Sequence, residues 1–285
     1  MEEPERSTRR FQVSGVTVGG DTPVLVGSIL YSGDKYVENP VEGAVKWKIV
    51  LREIERMLNL SRECGVPTMI DLNAETIGAM ERYASKICEN TSHIPVLVGG
   101  ISKEIRDKGF ITFREYGEEY RAIYNSFLAG RDDLEHINRL EVEYLVVMTY
   151  GALPKESVSK LEPDLIDRLF DAGVKGIMVD TGVMDIRNIR CAVDAALEIR
   201  ERWNVPVGCC PYNGYSSVKW FRKLKAEERT SASLGLEAYV VMRGLDFLLF
   251  GPLYRYHHVL PFVSTIVALR SKGTSDRKHP YWIVR

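Results

Sequence analysis

The sequence predicts an α/β fold, a single (β/α)8 TIM barrel with a short N-terminal β-hairpin, and three observations predict it. Short apolar runs recur at spacings of a few tens of residues, as strands buried on both faces of a parallel sheet do. Between them lie segments whose apolar residues fall at helical spacing. At the C-terminal ends of the runs stand carboxylates, amides, hydroxyls and glycines, where barrel enzymes keep their chemistry. Lys175-Gly-Ile-Met-Val-Asp-Thr-Gly182 shows the pattern compactly: an apolar run, then Asp180 and Thr181, then Gly182 to free the backbone for a turn.

Bulk properties agree. The chain has 285 residues, 45% hydrophobic and 27% charged, with a net charge of −1, which suits one large core better than two small domains. A near-neutral balance gives no support for nucleic acid or an anionic membrane as partner. The first ten residues carry both signs of charge and no apolar core, so a signal peptide is not expected. No apolar stretch approaches transmembrane length. The five cysteines (Cys64, Cys88, Cys191, Cys209, Cys210) are odd in number and lack framework spacing. They read as reduced thiols of a cytoplasmic protein, with attachment to the edge of a membrane complex left open.

In order, Phe11-Gln-Val-Ser-Gly-Val-Thr-Val18 alternates around Gly15 and predicts a hairpin plugging the bottom of the barrel. Segment 1–22 is thus an N-terminal hairpin, 23–270 the barrel and 271–285 a tail. The first strand is Val24-Leu-Val-Gly-Ser-Ile29, and a helix is expected over 44–63 from Val45, Ile49, Ile54, Met57 and Leu60. Thr68-Met-Ile-Asp-Leu-Asn73 is the second strand, followed by a helix that Thr76 caps. The third strand, Pro95-Val-Leu-Val98, runs into Gly99-Gly100, with Ser102 starting the next helix. Ala122-Ile-Tyr-Asn-Ser126 and Tyr144-Leu-Val-Val-Met148 are the fourth and fifth strands, and Ile177 marks the sixth. Helices are expected over 165–172 and 189–203; Pro206-Val-Gly208 opens the seventh strand and Phe247-Leu-Leu-Phe250 is the eighth. An open doubly wound sheet would want a glycine-rich fingerprint after its first strand, and none is present.

The residues at the strand mouths are Ser28, Asp71, Asn73, Asn125, Ser126, Asp180, Thr181 and Asn213. Such amides, hydroxyls and carboxylates suit a flat heterocycle with several donors and acceptors. Each also has a plain structural reading. Asp180 can bond a loop backbone, Asn213 in Tyr-Asn-Gly is an ordinary turn signal, and Ser216-Ser217 reads as a helix cap. Cys209-Cys210 lacks a second Cys or His pair at ligand spacing, and His257-His258 reads as part of a packed aromatic loop, so no metal is expected.

Five segments resemble one family. Pro23-Val-Leu-Val-Gly-Ser-Ile-Leu-Tyr-Ser-Gly-Asp-Lys35, Met69-Ile-Asp-Leu-Asn-Ala-Glu-Thr76, Ile123-Tyr-Asn-Ser126, Met178-Val-Asp-Thr181 and Asp246-Phe-Leu-Leu-Phe-Gly-Pro252 are similar, in that order, to motifs of the MtrH family of tetrahydromethanopterin S-methyltransferase subunits. The resemblance implies methyl transfer between a corrinoid cobalt and N5 of a tetrahydropterin, with tetrahydromethanopterin or tetrahydrofolate as substrate. It implies a pterin held by Asn125, Asp180 and Asn213; their strand-mouth positions add Asp71, Asn73, Ser126 and Thr181 to the expected contacts. Asp180 and Asn213 would be the catalytic pair, Asn213 beside N5. The corrinoid would arrive on a partner protein or subunit, and a homo-oligomer stays open. One departure stands out: Gly99-Gly100 occupies the end of the third strand, where the family's pattern has an acidic residue followed by a hydroxyl. Asp71 or Asn73 from the second strand then fills the gap, or the pterin is held weakly. A non-catalytic barrel subunit that docks a corrinoid protein is therefore the alternative reading. A third, of dihydropteroate-synthase type, needs cations near the mouth for a diphosphate, with Lys35, Lys219 and Arg243 as candidates.

Overall fold

The structure is a computed structural model describing residues 10–151 and 153–270. Eight parallel strands close into a barrel. Two small hairpins flank it. The first pairs β1 (Phe11–Val13) with β2 (Val16–Val18), antiparallel, through Ser14 and Gly15, whose φ angles of 45° and 80° make the tight turn that matches strand twist. As expected, it plugs the bottom. Phe11, Val13 and Val18 are buried among the inward-facing residues of the barrel. Gly176, at the start of a barrel strand, makes room for it: a Cβ there would fall 2.4 Å from the Phe11 ring.

After β3 (Val24–Ile29), β4 (Val37–Asn39) and β5 (Ala44–Val45) form the second hairpin. The first helix, α1 (Trp47–Cys64), therefore starts later than its apolar spacing suggests, because residues 44 and 45 pair with β4. It ends at Gly65 in the left-handed conformation, φ 64°. Then follow β6 (Thr68–Leu72) and α2 (Ile77–Asn90), where the Thr76 hydroxyl accepts from the Ala79 N–H at 3.1 Å. After β7 (Val96–Val98), Ser102 does hold the N-cap position of α3 (Lys103–Glu115). Next come β8 (Ala122–Leu128), α4 (Leu134–Arg139), β9 (Tyr144–Met148), α5 (Pro154–Ser159), α6 (Leu165–Asp171) and β10 (Gly176–Asp180). The last third holds α7 (Ile189–Trp203), β11 (Val207–Cys209), α8 (Pro211–Ser216), α9 (Ala226–Met242), β12 (Phe247–Pro252) and α10 (Tyr256–Arg270).

Two local expectations are corrected here. Ser216 and Ser217 end α8 rather than start the helix beyond it, and His257-His258 lies in the first turn of α10, not in a loop. The 271–285 tail lies outside the described residues. No helix among those described is long and apolar enough to cross a membrane.

Side-chain alternation divides each strand between two cores. Val26, Met69, Leu97, Ile123, Val146 and Met178 point into the barrel and are almost wholly buried. Leu25, Ile70, Val96, Leu145, Ile177 and Leu248 point out against the helices. Each such side chain contributes roughly 1.5–3 kcal/mol by leaving water. The alternation decides which mouth residues can meet a ligand. Counting two positions on from the inward residues, Ser28, Asp71, Gly99, Asn125, Met148 and Asp180 continue the inner face.

Candidate functional site

Asp71 is the hub of the mouth. It is 5% exposed, and three side chains donate to its carboxylate. Ser28 Oγ of β3 donates at 2.9 Å, Asn73 Nδ2 beyond β6 at 2.7 Å and Asn125 Nδ2 of β8 at 2.9 Å. Burial raises its pKa while those donors lower it; they stabilise the charge that burial disfavours. β8 presents Asn125 correctly because it bulges there: Asn125 pairs with Val146 and Phe127 with Val147, leaving buried Ser126 as the extra residue. The bulge lets Asn125 face in while Phe127 packs outward.

Asp180 ends β10 and is 4% exposed. Its Oδ1 accepts from the Gly182 N–H at 2.8 Å, a turn that needs Gly182 at φ 58°. Burial pushes the carboxyl up to about 6; the Gly182 bond opposes this and the negative charge of Asp71 adds to it. The two acids therefore differ: Asp71 is surrounded by donors, whereas Oδ2 of Asp180 has no hydrogen-bond partner among the described residues.

The space at Gly99 is not vacant. A Cβ built there would lie 2.7 Å from Asn73 Oδ1 and 3.2 Å from Asp71 Oδ1. Strand β6 thus fills the room that the side chain of a larger residue would take.

Thr181 takes a different position from the one expected of a ligand contact. It is 1% exposed, and its hydroxyl donates to the Ala192 carbonyl at 2.9 Å, tying β10 to α7 on the outside of the barrel. Strand alternation explains it, since neighbours of an inward Asp180 must point out. Asn213 is exposed on α8, apart from the Asp71 cluster; its backbone carbonyl accepts from Ser216 Oγ at 3.0 Å. Cys209 faces the outer core, while Cys210 packs at the inner one, where burial and then the charge of Asp180 push its thiol up to about 12. Among the described residues no three His, Cys, Asp or Glu side chains gather as a metal site. Of the cation candidates, Lys35 lies 3.9 Å over the Tyr254 ring, whereas Arg243 is held by Asp194 at 2.8 Å.

Sequence reasoning overlooked Tyr212 and Arg255. Tyr212 packs against the inner core and closes on the backbone of Gly251, where a Cβ would fall 2.5 Å from its ring. Arg255 lies 4.7 Å over that ring and is only 6% exposed. An arginine between two tyrosines, in Tyr254-Arg-Tyr256, was the available signal.

The family model described as the tetrahydromethanopterin S-methyltransferase MtrH subunit matches residues 6–278. The chain belongs to that methyltransferase-subunit family. The MtrH-type subunit of the tetrahydromethanopterin S-methyltransferase of Methanopyrus kandleri is 24% identical over 99% of each chain. Its counterpart from Methanothermobacter marburgensis is 23% identical over 95% of this chain and 96% of its own. Among solved structures, a Yersinia pestis dihydropteroate synthase with a sulfonamide drug superposes with TM-score 0.63 at 12% identity, covering 92% of this chain and 99% of that one. A Coxiella burnetii dihydropteroate synthase in complex with pteroic acid gives 0.59 at 13% identity, over 91% and 99%. At that identity the likeness concerns the barrel alone.

Proposed function

We propose that this family member moves a methyl group between a methylated corrinoid protein and N5 of a tetrahydropterin, tetrahydromethanopterin or tetrahydrofolate, bound at the barrel mouth. The observation that carries the reading is the unequal pair of buried carboxylates. Asp71 is saturated by Ser28, Asn73 and Asn125, so it serves as a fixed negative wall that also aligns the two amides. Asp180 is almost wholly buried and keeps one oxygen free of protein partners among the described residues. A ring amine or N–H of a pterin supplies the donor it lacks, and a bond of that kind contributes about 1.5–3 kcal/mol. The names of the relatives support the same substrate class.

In the direction that methylates N5, the nitrogen lone pair would form the new N–C bond as the donor's bond to the methyl breaks with its electron pair left on the donor, and the N5 proton leaves. In reverse, N5 must be protonated so that the bond pair stays with nitrogen as the methyl departs. A corrinoid supplies the cobalt that carries the methyl on the partner's side. The barrel's part is positioning: it holds the ring with N5 toward the open mouth, where orientation lowers the barrier most. Asp180, raised to about 6, can change protonation state near neutrality, and exposed Asn213 lies on the helix following the seventh barrel strand.

Calorimetric titration with tetrahydromethanopterin and tetrahydrofolate tests the reading. The wild type should bind one of them, and Asp180→Ala should lose at least tenfold in affinity while keeping its far-UV spectrum. A folded wild type that binds neither would overturn it and leave the docking-subunit alternative.

A further inference from the structure

A cavity of about 520 Å³ lies between α8, the start of α9 and the first turn of α10. Its wall is a run of rings: Tyr212 and Tyr215 lie 5.5 Å apart, and Tyr215 stacks on Phe221 at 4.6 Å. Arg222, Arg229 and Arg255 line the same cavity, Arg255 over the Tyr212 ring. No carboxylate lines the cavity. Glu237, behind Arg255, accepts from it at 2.7 Å and uses its charge there, but Arg222 and Arg229 form no ion pair among the described residues. The Tyr215 hydroxyl is buried without a hydrogen-bond partner, on a residue only 6% exposed. The buried, unmatched hydroxyl is the costly group here; Arg222, which donates to the Ser216 carbonyl at 3.2 Å, and Arg229 are exposed and keep guanidinium N–H groups for an acceptor-rich ligand.

Tyr212 is the shared wall: it packs on the inner core beneath the mouth and also lines this cavity. Tyr212 is thus the residue common to the inner core and the cavity. We propose that the cavity holds the side chain of the tetrahydropterin, an aryl group against the rings followed by an anionic end on Arg222, Arg229 and the Tyr215 hydroxyl. The inference rests on the pterin reading of the mouth and adds to it the subsite that selects pterins with a charged tail. Phosphate and carboxylate share the chemistry, both offering several oxygen acceptors to guanidinium forks. Arg255 plays a different part: fastened to Glu237, to Ser233 Oγ at 2.5 Å and to the Phe250 carbonyl, it backs Tyr212 and adds positive charge.

The test uses the full chain and three ligands: 6-methyltetrahydropterin, which has no tail; tetrahydrofolate, whose tail ends in carboxylates; and tetrahydromethanopterin, whose tail carries a phosphate. The double variant Arg222→Gln/Arg229→Gln changes two exposed residues, so its melting temperature should match the wild type. It should bind a tailed ligand about tenfold or more weakly than wild type, while its affinity for the tail-less ring stays within about twofold. Raising the salt should weaken tailed-ligand binding in the wild type and much less in the variant. Whichever tailed ligand loses more identifies the anion as phosphate or carboxylate. If the ring binds and the tailed ligands bind no tighter, or if the variant loses ring and tail alike, the subsite is overturned while the pterin mouth stands. If no pterin binds the wild type at all, the mouth reading falls and takes this inference with it.

Discussion

Asp180 is kept in a place that disfavours its charge. An unfolded carboxyl titrates near 3.8, whereas the folded one sits at about 6. The folded state therefore binds the proton more tightly, and ionising the group as pH rises through about 6 costs stability. The two-unit difference corresponds to about 3 kcal/mol. Asp180→Asn keeps an oxygen for the Gly182 N–H and removes the charge. It should melt higher than wild type above about pH 7, with the gain vanishing below about pH 4, while pterin affinity falls. A variant that melts lower at both pH values would mean that the carboxylate charge stabilises the fold. Gly99 gives a second case. A side chain there meets Asn73 Oδ1 at 2.7 Å, so Gly99→Asp should not restore an acceptor but crowd two carboxylates and an amide together. A loss of about 1–3 kcal/mol is expected in chemical denaturation, with partial recovery in Gly99→Asp/Asn73→Ala. Full stability in the single variant would contradict the packing. At this scale the sequence marks Asp71, Asn73, Asn125 and Asp180 because strand ends and alternation locate them. Thr181 and Gly99 show where the reading stops. Whether a residue faces in or out turns on one position of phase, and whether a gap is filled depends on a neighbouring strand's rotamer.

Helices and strands meet most tightly where a glycine lets them. Gly109 lies in α3, where helix propensity alone favours alanine by roughly 1 kcal/mol. Packing opposes it: a Cβ would lie 2.5 Å from Val98 Cγ1 on β7 and 2.8 Å from Met80 Sδ on α2. Both neighbours belong to the buried outer core, so neither can swing into solvent. Overpacking costs about 1–3 kcal/mol, and it should win. Gly109→Ala should therefore lower the melting temperature by several degrees; a rise would show that α3 can slide outward freely. The eight barrel strands were legible as elements because each is a continuous apolar run. The hairpin of β4 and β5 was not, since Ala44 and Val45 also fit the apolar period of α1, and tertiary pairing decided between them. The short α8 was hidden too: Pro211-Tyr-Asn-Gly214 carries turn residues, yet Pro211 sits comfortably at a helix start.

On the molecule as a whole, of the ten large apolar side chains that stand exposed among the described residues, six lie in segments that follow the C-terminal ends of barrel strands. Ile101 after β7, Leu153 after β9, Met184 after β10 and Trp220 after α8 are 80%, 58%, 68% and 57% exposed. Val41 and Ile77, in the segments beyond β3 and β6, add to them. All six follow C-terminal strand ends, so they ring the mouth that holds Asp71 and Asp180. Exposed apolar groups gathered around a site mark a surface that a partner covers. On the proposed function, a methylated corrinoid protein would have to bring its cobalt to the mouth, and an apolar rim would seat that protein and shut out water. Ile101→Asp and Met184→Asp should then leave tetrahydropterin affinity and melting temperature nearly unchanged. Methyl transfer with a methylated corrinoid protein should fall about tenfold or more, chiefly through a higher KM for that protein. Transfer with a free methylated corrinoid in place of the protein should be unaffected. Equal loss with both donors would place the two side chains in the chemistry of the mouth, and no loss with either would mean that the partner docks elsewhere.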